Sequence, residues 1–400
     1  MMRNKDRFVD IGFARQIKHG ETFSGDTFLS KKFNEEARII TVLSDGLGSG
    51  IKASVLSTIT ATMSLRFAQL NRDLRETAMT IATTLPLCSV RKISYATFTI
   101  IDIASDFKVN VVEYDNPELI VFKGSEFQQI PMKKVKIDMP DRDAAYLRFY
   151  TYNLSLDDRI IVCSDGVVQS GLGRKGMPFG WGWKELVRFI LNKIEEKPDI
   201  SAMDLAEEIV KEAVGNDEFI SKDDITCGVI HCRSPRQLLI ATGPPFDESR
   251  DEYLAYKIKK FQGRKIICGG TTANIVSNFF SRPLKVDLKS ADSSLPPVAY
   301  MEGVDLVTEG AVTLARLMDC LDKYSLEDLR RICKDRNAVG MILHYILGSD
   351  VIEFIVGTRL NQAHFAPSQS VEIGVRRILV QKIQHLLEEK FLKDVSVEFV

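Results

Sequence analysis

The spacing of apolar positions changes period several times along the chain, and each change marks an element. Alternating or β-branched runs at residues 8–17, 27–33 and 38–43 predict strands, the second and third joined by the polar turn Asn34-Glu35-Glu36. A hairpin centred between Glu35 and Glu36 sets Asp26 directly opposite Asp45 at its open end. Residues 51–72 and 73–85 have helical spacing, interrupted at Asn71-Arg72-Asp73, and predict a helix pair. Strand patterns return at 94–103, 108–114, 118–122, 146–153 and 159–163. A glycine- and aromatic-rich segment, 171–183, then precedes helical stretches at 183–195 and 201–214 and a strand at 225–232. Strands flanking each helix pair, joined mostly by short turns, predict an antiparallel β-sandwich with helices outside it.

After the polar break Arg233-Ser234-Pro235-Arg236 the pattern becomes an alternation of strand and helix. Strands ending in Thr242-Gly243-Pro244, Cys268-Gly269-Gly270 and Thr308-Glu309-Gly310 are followed by helical patterns at 252–261, 272–280 and 311–321. Helices at 325–334, 338–347 and 371–388 and strands at 351–357 and 395–400 complete a smaller parallel α/β domain. The expected division is therefore 1–232 and 237–400, in keeping with a 400-residue chain too long for one ordinary core.

Composition narrows the class. The 53 basic and 54 acidic residues leave a formal charge of -1, which gives no electrostatic case for nucleic acid or an anionic membrane. No run approaches the ~18 apolar residues of a membrane span, and the first residues lack the apolar core of a signal peptide. A soluble, cytoplasmic protein is expected. The seven cysteines mostly interrupt apolar runs, as reduced buried thiols do. Cys227 and His231 share one face of a strand while Cys232 points to the other, so these three are not read as a zinc set.

The candidate chemistry lies in acids at strand ends. Ser44-Asp45-Gly46 and Ser164-Asp165-Gly166 each terminate an apolar run, whereas Asp26 and Asp223 begin theirs. In antiparallel neighbours, beginnings and ends share an edge, so the four acids can meet. Two unit charges 4 Å apart repel by about 4 kcal/mol at an effective dielectric near 20, so protons or cations must resolve such a cluster. Oxygen donors without histidine select Mg²⁺ or Mn²⁺, and glycine after Asp45 allows a backbone carbonyl to approach a metal. Two such ions can share and acidify a water aimed at phosphorus, which points to phosphoester hydrolysis.

Gly25-Asp26-Thr27-Phe28, Ser44-Asp45-Gly46-Leu47-Gly48-Ser49-Gly50, Asp158 to Gly166 and Asp223-Asp224-Ile225-Thr226 together resemble the ordered motifs of the PPM (PP2C-type) metal-dependent serine/threonine phosphatases, bacterial SpoIIE/RsbU branch. The resemblance covers roughly the first 232 residues. It implies an αββα sandwich with a binuclear Mn/Mg centre. Asp45 would bridge two ions, Asp26 and the Gly46 carbonyl would serve one, and Asp165 and Asp223 the other. Asp224 matches a neighbouring, less directly ligating position. The resemblance further implies hydrolysis of phosphoserine or phosphothreonine on a protein, often an anti-anti-sigma-type regulator, without a covalent intermediate. It makes the helix pair after Gly50 a regulatory element and a homodimer a candidate assembly. The phosphate-holding arginine of eukaryotic members has no matched counterpart, Arg15 and Lys18 being read as solvated.

The rival expectation is a non-catalytic module that keeps the fold and binds a ligand or partner through its C-terminal domain. Gly46 to Gly50 lacks the spacing of a dinucleotide loop. The segment 171–183 is read either as a substrate-facing flap or as aromatics packed on the sandwich. Gly243-Pro244, Gly269 to Thr272 and Glu309-Gly310 fall where open α/β sheets bind ligands, although no Walker or Rossmann fingerprint is present.

Overall fold

The computed structural model describes residues 6–33, 36–70, 73–85, 96–139, 142–290, 295–359 and 369–400. The turn at Asn34-Glu35, the break at Asn71-Arg72 and the start of the strand expected from residue 94 lie outside the described residues. The chain divides into two compact units, Met1–Ser234 and Pro235–Val400.

The first unit runs β1 (Phe8–Gln16), β2 (Asp26–Phe33), β3 (Arg38–Gly46), α1 (Gly50–Leu70), α2 (Leu74–Thr84), β4 (Ala96–Ile103), β5 (Lys108–Tyr114), β6 (Ile120–Lys123), β7 (Glu126–Gln128) and β8 (Met132–Met139). It continues with β9 (Arg142–Asn153), β10 (Asp158–Cys163), α3 (Asp165–Val168), α4 (Trp183–Glu196), α5 (Ala202–Asn216) and β11 (Ile225–Arg233). Two antiparallel sheets result, ordered β1-β11-β10-β6-β7 and β2-β3-β4-β5-β9-β8.

Period-2 alternation explains the layering. Along β3, Leu43 faces the interior between the sheets with Phe28, Ile101, Val111, Ile160 and Ile230. Ile40 and Val42 face the other way, against Ala61, Leu65, Ala78 and Ile81 of α1 and α2. On the second sheet Ile160 and Val162 point inward, while Ile161 and Cys163 meet Leu186 and Ile190 of α4 and Leu205 and Ile209 of α5. Both faces of these strands are covered, so they read as unbroken apolar runs. The architecture is α-β-β-α, as expected. Helix α1 turns mostly small residues to its sheet, among them Ala53, Ser57, Ala61, Ser64 and Ala68, which lets its backbone approach β3 closely.

Strands β7 and β8 were not anticipated. β8 is a sheet edge whose Lys133, Lys134 and Lys136 are exposed. Lysines on an edge strand oppose pairing with another chain and at the same time hide the strand's apolar alternation.

The second unit comprises β12 (Gln237–Thr242), α6 (Asp251–Lys260), β13 (Arg264–Cys268), α7 (Gly270–Phe280), β14 (Lys285–Asp287), β15 (Val298–Met301) and β16 (Val304–Thr308). After these come α8 (Ala311–Lys323), α9 (Leu326–Ile332), α10 (Ala338–Leu347), β17 (Val351–Val356), α11 (Gln369–Phe391) and β18 (Asp394–Phe399). The sheet order is β14-β15-β16-β13-β12-β17-β18. From β16 to β18 the strands are parallel. Helices α8, α10 and α11 cover one face and α6 and α7 the other. The antiparallel extension β14-β15 adds to the expected parallel sheet; its strands are 3 and 4 residues long, too short to show a period. Among the described residues, no helix is long and apolar enough to cross a membrane.

Candidate functional site

Register delivers the acids of the first sheet. Asp26 opens β2 and pairs directly with Asp45 of β3, the pairing the hairpin predicts. On its other side Asp45 pairs with Thr97 of β4, so both neighbours of β3 hold its end in place.

On the other sheet, Cys163 of β10 pairs with Cys227 of β11, which sets Ser164-Asp165 beside Asp223-Asp224. The Ser164 N–H donates to the Thr226 carbonyl at 2.9 Å, and the Thr226 N–H donates to Ser164 Oγ at 3.0 Å. Asp165 does not simply end a strand: it is the first residue of α3, with Ser164 at the N-cap, where a negative charge favours the helix dipole. Gln169, one turn on, donates to Asp165 Oδ2 at 2.9 Å.

Asp224 joins the two sheets. Its Oδ1 accepts the Lys18 N–H at 3.1 Å and its Oδ2 the Gly25 N–H at 2.9 Å. The buried carboxylate thereby fixes the chain just before Asp26, with both of its oxygens engaged. Asp223 Oδ1 accepts the Asp224 N–H at 2.9 Å.

The glycines after the two central acids answer to packing. A Cβ on Gly46 would stand 2.2 Å from the Ala53 carbonyl oxygen of α1, and one on Gly166 would stand 2.1 Å from the Asp224 carbonyl oxygen. The Gly46 N–H also donates to the Gly25 carbonyl at 3.0 Å, closing the hairpin beside Asp26.

Electrostatics tie the four acids together. Asp26 is 1% exposed, and neither of its carboxylate oxygens has a hydrogen-bond partner among the described residues. Burial pushes its carboxyl up to about 7, and Asp224 and Asp165 raise it further. The Ser164 and Thr226 hydroxyls oppose this from nearby without completing a hydrogen bond. Asp45 is raised well above the carboxylate range, first by burial and then by Asp26, Asp165 and Asp223, and its protonated form is held by Asp165. Asp223 is raised by burial and by Asp165, while the Asp224 N–H and Lys18 pull it down. Lys18, read from sequence as merely solvated, thus lies within electrostatic reach of the acids. Ser164 and Thr226 belong to the motifs read from sequence, without a role given to them there; Gln169 is the site neighbour that sequence reasoning missed, because nothing in its spacing distinguishes it.

Among the described residues, no three His, Cys, Asp or Glu side chains form a ready coordination shell. Burial and mutual repulsion favour the protonated forms of Asp26 and Asp45, and a cation bound among the acids would relieve the same repulsion. A buried carboxylate whose two oxygens lack donors is nonetheless costly, and it fits a cation ligand better than a structural acid. A set of aspartate oxygens suits a hard divalent ion.

The segment 171–183 divides between its two readings. Trp181 is buried against Phe189, and the Trp183 indole donates to the Glu118 carbonyl at 3.1 Å. Phe179 is 88% exposed.

Residues 35–233 match the family model described as stage II sporulation protein E (SpoIIE). No curated protein is a recognisable sequence relative of the chain. Among solved structures, the phosphatase domain of the cell fate determinant SpoIIE from Bacillus subtilis is similar at 18% identity and a TM-score of 0.43, over 57% of this chain and 94% of that one. The RsbU and RsbW domains of a Mycobacterium tuberculosis protein are similar at 13% identity and a TM-score of 0.46, over 64% and 68%. The SiaA PP2C domain of Pseudomonas aeruginosa is similar at 15% identity and a TM-score of 0.42, over 55% and 85%.

Proposed function

Since residues 35–233 belong to the SpoIIE family of PP2C-type serine/threonine phosphatases, we propose that this chain removes phosphate from phosphoserine or phosphothreonine of a protein regulator, with Mn²⁺ or Mg²⁺ held by its strand-end aspartates. The observation that carries this reading is the buried Asp26 carboxylate, unpartnered at both oxygens among the described residues and opposite Asp45. Asp26, Asp45, Asp165 and Asp223, with the Gly46 carbonyl, would hold two divalent ions, and Asp224 would keep the Asp26 strand in register. When bound, the ions would supply positive charge to the phosphoryl oxygens and acidify a water.

The chain's own residues then have separate tasks. Burial of Asp26 excludes competing water from its ligand oxygens, while Asp45 is half-buried. Gln169 orients Asp165 through its 2.9 Å bond. Lys18 offsets charge beside Asp223 and is available to an incoming phosphate. The exposed Phe179 offers contact area to a protein substrate. An anti-anti-sigma-type regulator is the proposed substrate class, and sensing or docking is the proposed role of residues 237–400.

The test is release of inorganic phosphate from phosphoserine peptides by the full chain. We expect release with Mn²⁺ and its arrest by EDTA. A chain that binds Mn²⁺ yet releases no phosphate from any of them, or from p-nitrophenyl phosphate, would be the non-catalytic module instead.

A further inference from the structure

In the C-terminal unit, the described buried side-chain hydroxyls without a hydrogen-bond partner are those of Thr242, Thr272 and Thr313, each 0% exposed. All three lie at one edge. Thr242 ends β12, Thr272 is in the first turn of α7 after β13, and Thr313 is in the first turn of α8 after β16. These strands are adjacent and parallel. The carboxyl ends of these strands therefore carry hydroxyls whose hydrogen bonds are unmade, with Thr272 on the α6-α7 face and Thr313 on the α8 face, and burying a hydroxyl unpaired is costly enough to call for a partner.

Helix α7 adds donors at the same place. Its N-cap is Gly269, at φ 133°, which has no side chain with which to cap, and its first turn holds no acidic residue. Among the described residues, the N–H groups of Gly270, Thr271 and Thr272 have no acceptor. By contrast α8 is capped by Glu309, whose Oε2 accepts the Val312 N–H at 3.1 Å and the Thr313 N–H at 3.4 Å. Among the described residues, the space in which a Gly269 side chain would stand is bordered, apart from its chain neighbours, by Thr272 Oγ1 at 3.7 Å, and no atom outside α7's own backbone lies within 4 Å of the corresponding space at Gly270.

Free amides at a helix start and a buried hydroxyl beside the uncapped Gly269 form the donor set of an oxyanion. The carboxyl edge of an open parallel sheet is also where ligands enter such folds. We propose that the first turn of α7 binds a phosphate group, received by the Gly270, Thr271 and Thr272 N–H groups and the Thr272 hydroxyl. The phosphate belongs either to a small phosphomonoester or to free phosphate. This site stands apart from the phosphatase reading and does not depend on it.

The test uses the full chain in EDTA, so that divalent ions cannot draw phosphate to the N-terminal acids, and titrates inorganic phosphate and AMP by calorimetry. Saturable binding is expected. Thr272→Val, which keeps the shape but removes the hydroxyl, should weaken it about tenfold, the worth of a hydrogen bond to a charged group. Without ligand, its melting temperature should be unchanged or higher. Gly270→Asp, which sets a carboxylate in the open first turn, should abolish binding while stabilising the helix. Tighter binding of AMP identifies a phosphomonoester as the ligand, and equal or weaker binding identifies free phosphate. Failure of both probes to saturate the wild type overturns the proposal, as does wild-type affinity in either variant.

Discussion

Asp45→Asn should lower Mn²⁺-dependent hydrolysis of p-nitrophenyl phosphate by about a thousandfold, the scale on which preorganised charge stabilisation contributes to catalysis. Asparagine matches the shape of aspartate and preserves the pairing of residue 45 with Asp26 and Thr97, so the loss would report charge rather than misfolding. A second readout separates the two. The Asp45 carboxyl is raised by burial and by Asp26, Asp165 and Asp223. A carboxyl raised in the folded state contributes stability that is complete below its unfolded value near 3.8 and is lost as pH rises through its folded value. Metal-free wild type should therefore lose stability as pH rises above this unfolded value, and Asp45→Asn, which cannot ionise, should lose less over the same rise. Equal hydrolysis by wild type and variant would remove Asp45 from the chemistry.

Gly46→Ala should destabilise the first unit by about 2–4 kcal/mol, the cost of forcing atoms into a packed site. Its Cβ would meet the Ala53 carbonyl oxygen at 2.2 Å, and backbone at that distance cannot swing aside as a flexible side chain would. Alanine keeps the carbonyl that a metal would use, so metal ligation alone does not require glycine at position 46. Close approach of α1 does. Urea unfolding measures the effect, and activity should fall with it, because moving α1 moves the strand end that bears Asp45. A variant of wild-type stability would mean that α1 yields to the methyl group without cost.

These two sites also mark what the sequence disclosed. The Asp26-Asp45 pairing was legible because strand register has a period of two and a hairpin is symmetric about its turn. The acid-glycine pairs were legible as a motif, but the reason for the glycines was not, since neither Ala53 nor Asp224 is close to its glycine by sequence pattern alone. Asp224 read as a subsidiary ligand; in the fold both of its oxygens hold the backbone N–H groups of Lys18 and Gly25. That contact spans some two hundred residues of chain, beyond the reach of any local rule. β8 was hidden by its edge lysines, and α3, only 4 residues long, lacks a helical period. In the second unit the β-α alternation predicted the parallel sheet, while the partnerless hydroxyls of Thr242, Thr272 and Thr313 emerge only once their strands are side by side.

The central claim is that four aspartates on two sheets form one cation site whose charge, without metal, is balanced by protons. Calorimetric titration of the metal-free chain with Mn²⁺ at pH 6, in two buffers of different ionisation enthalpy, tests it most directly. With Asp26 raised to about 7 and Asp45 raised as well, Mn²⁺ must displace protons to bind, so the account predicts saturable binding with at least about one proton released per chain, and tighter binding as pH rises toward 8. Absence of binding, or binding whose heat is the same in both buffers, would contradict it.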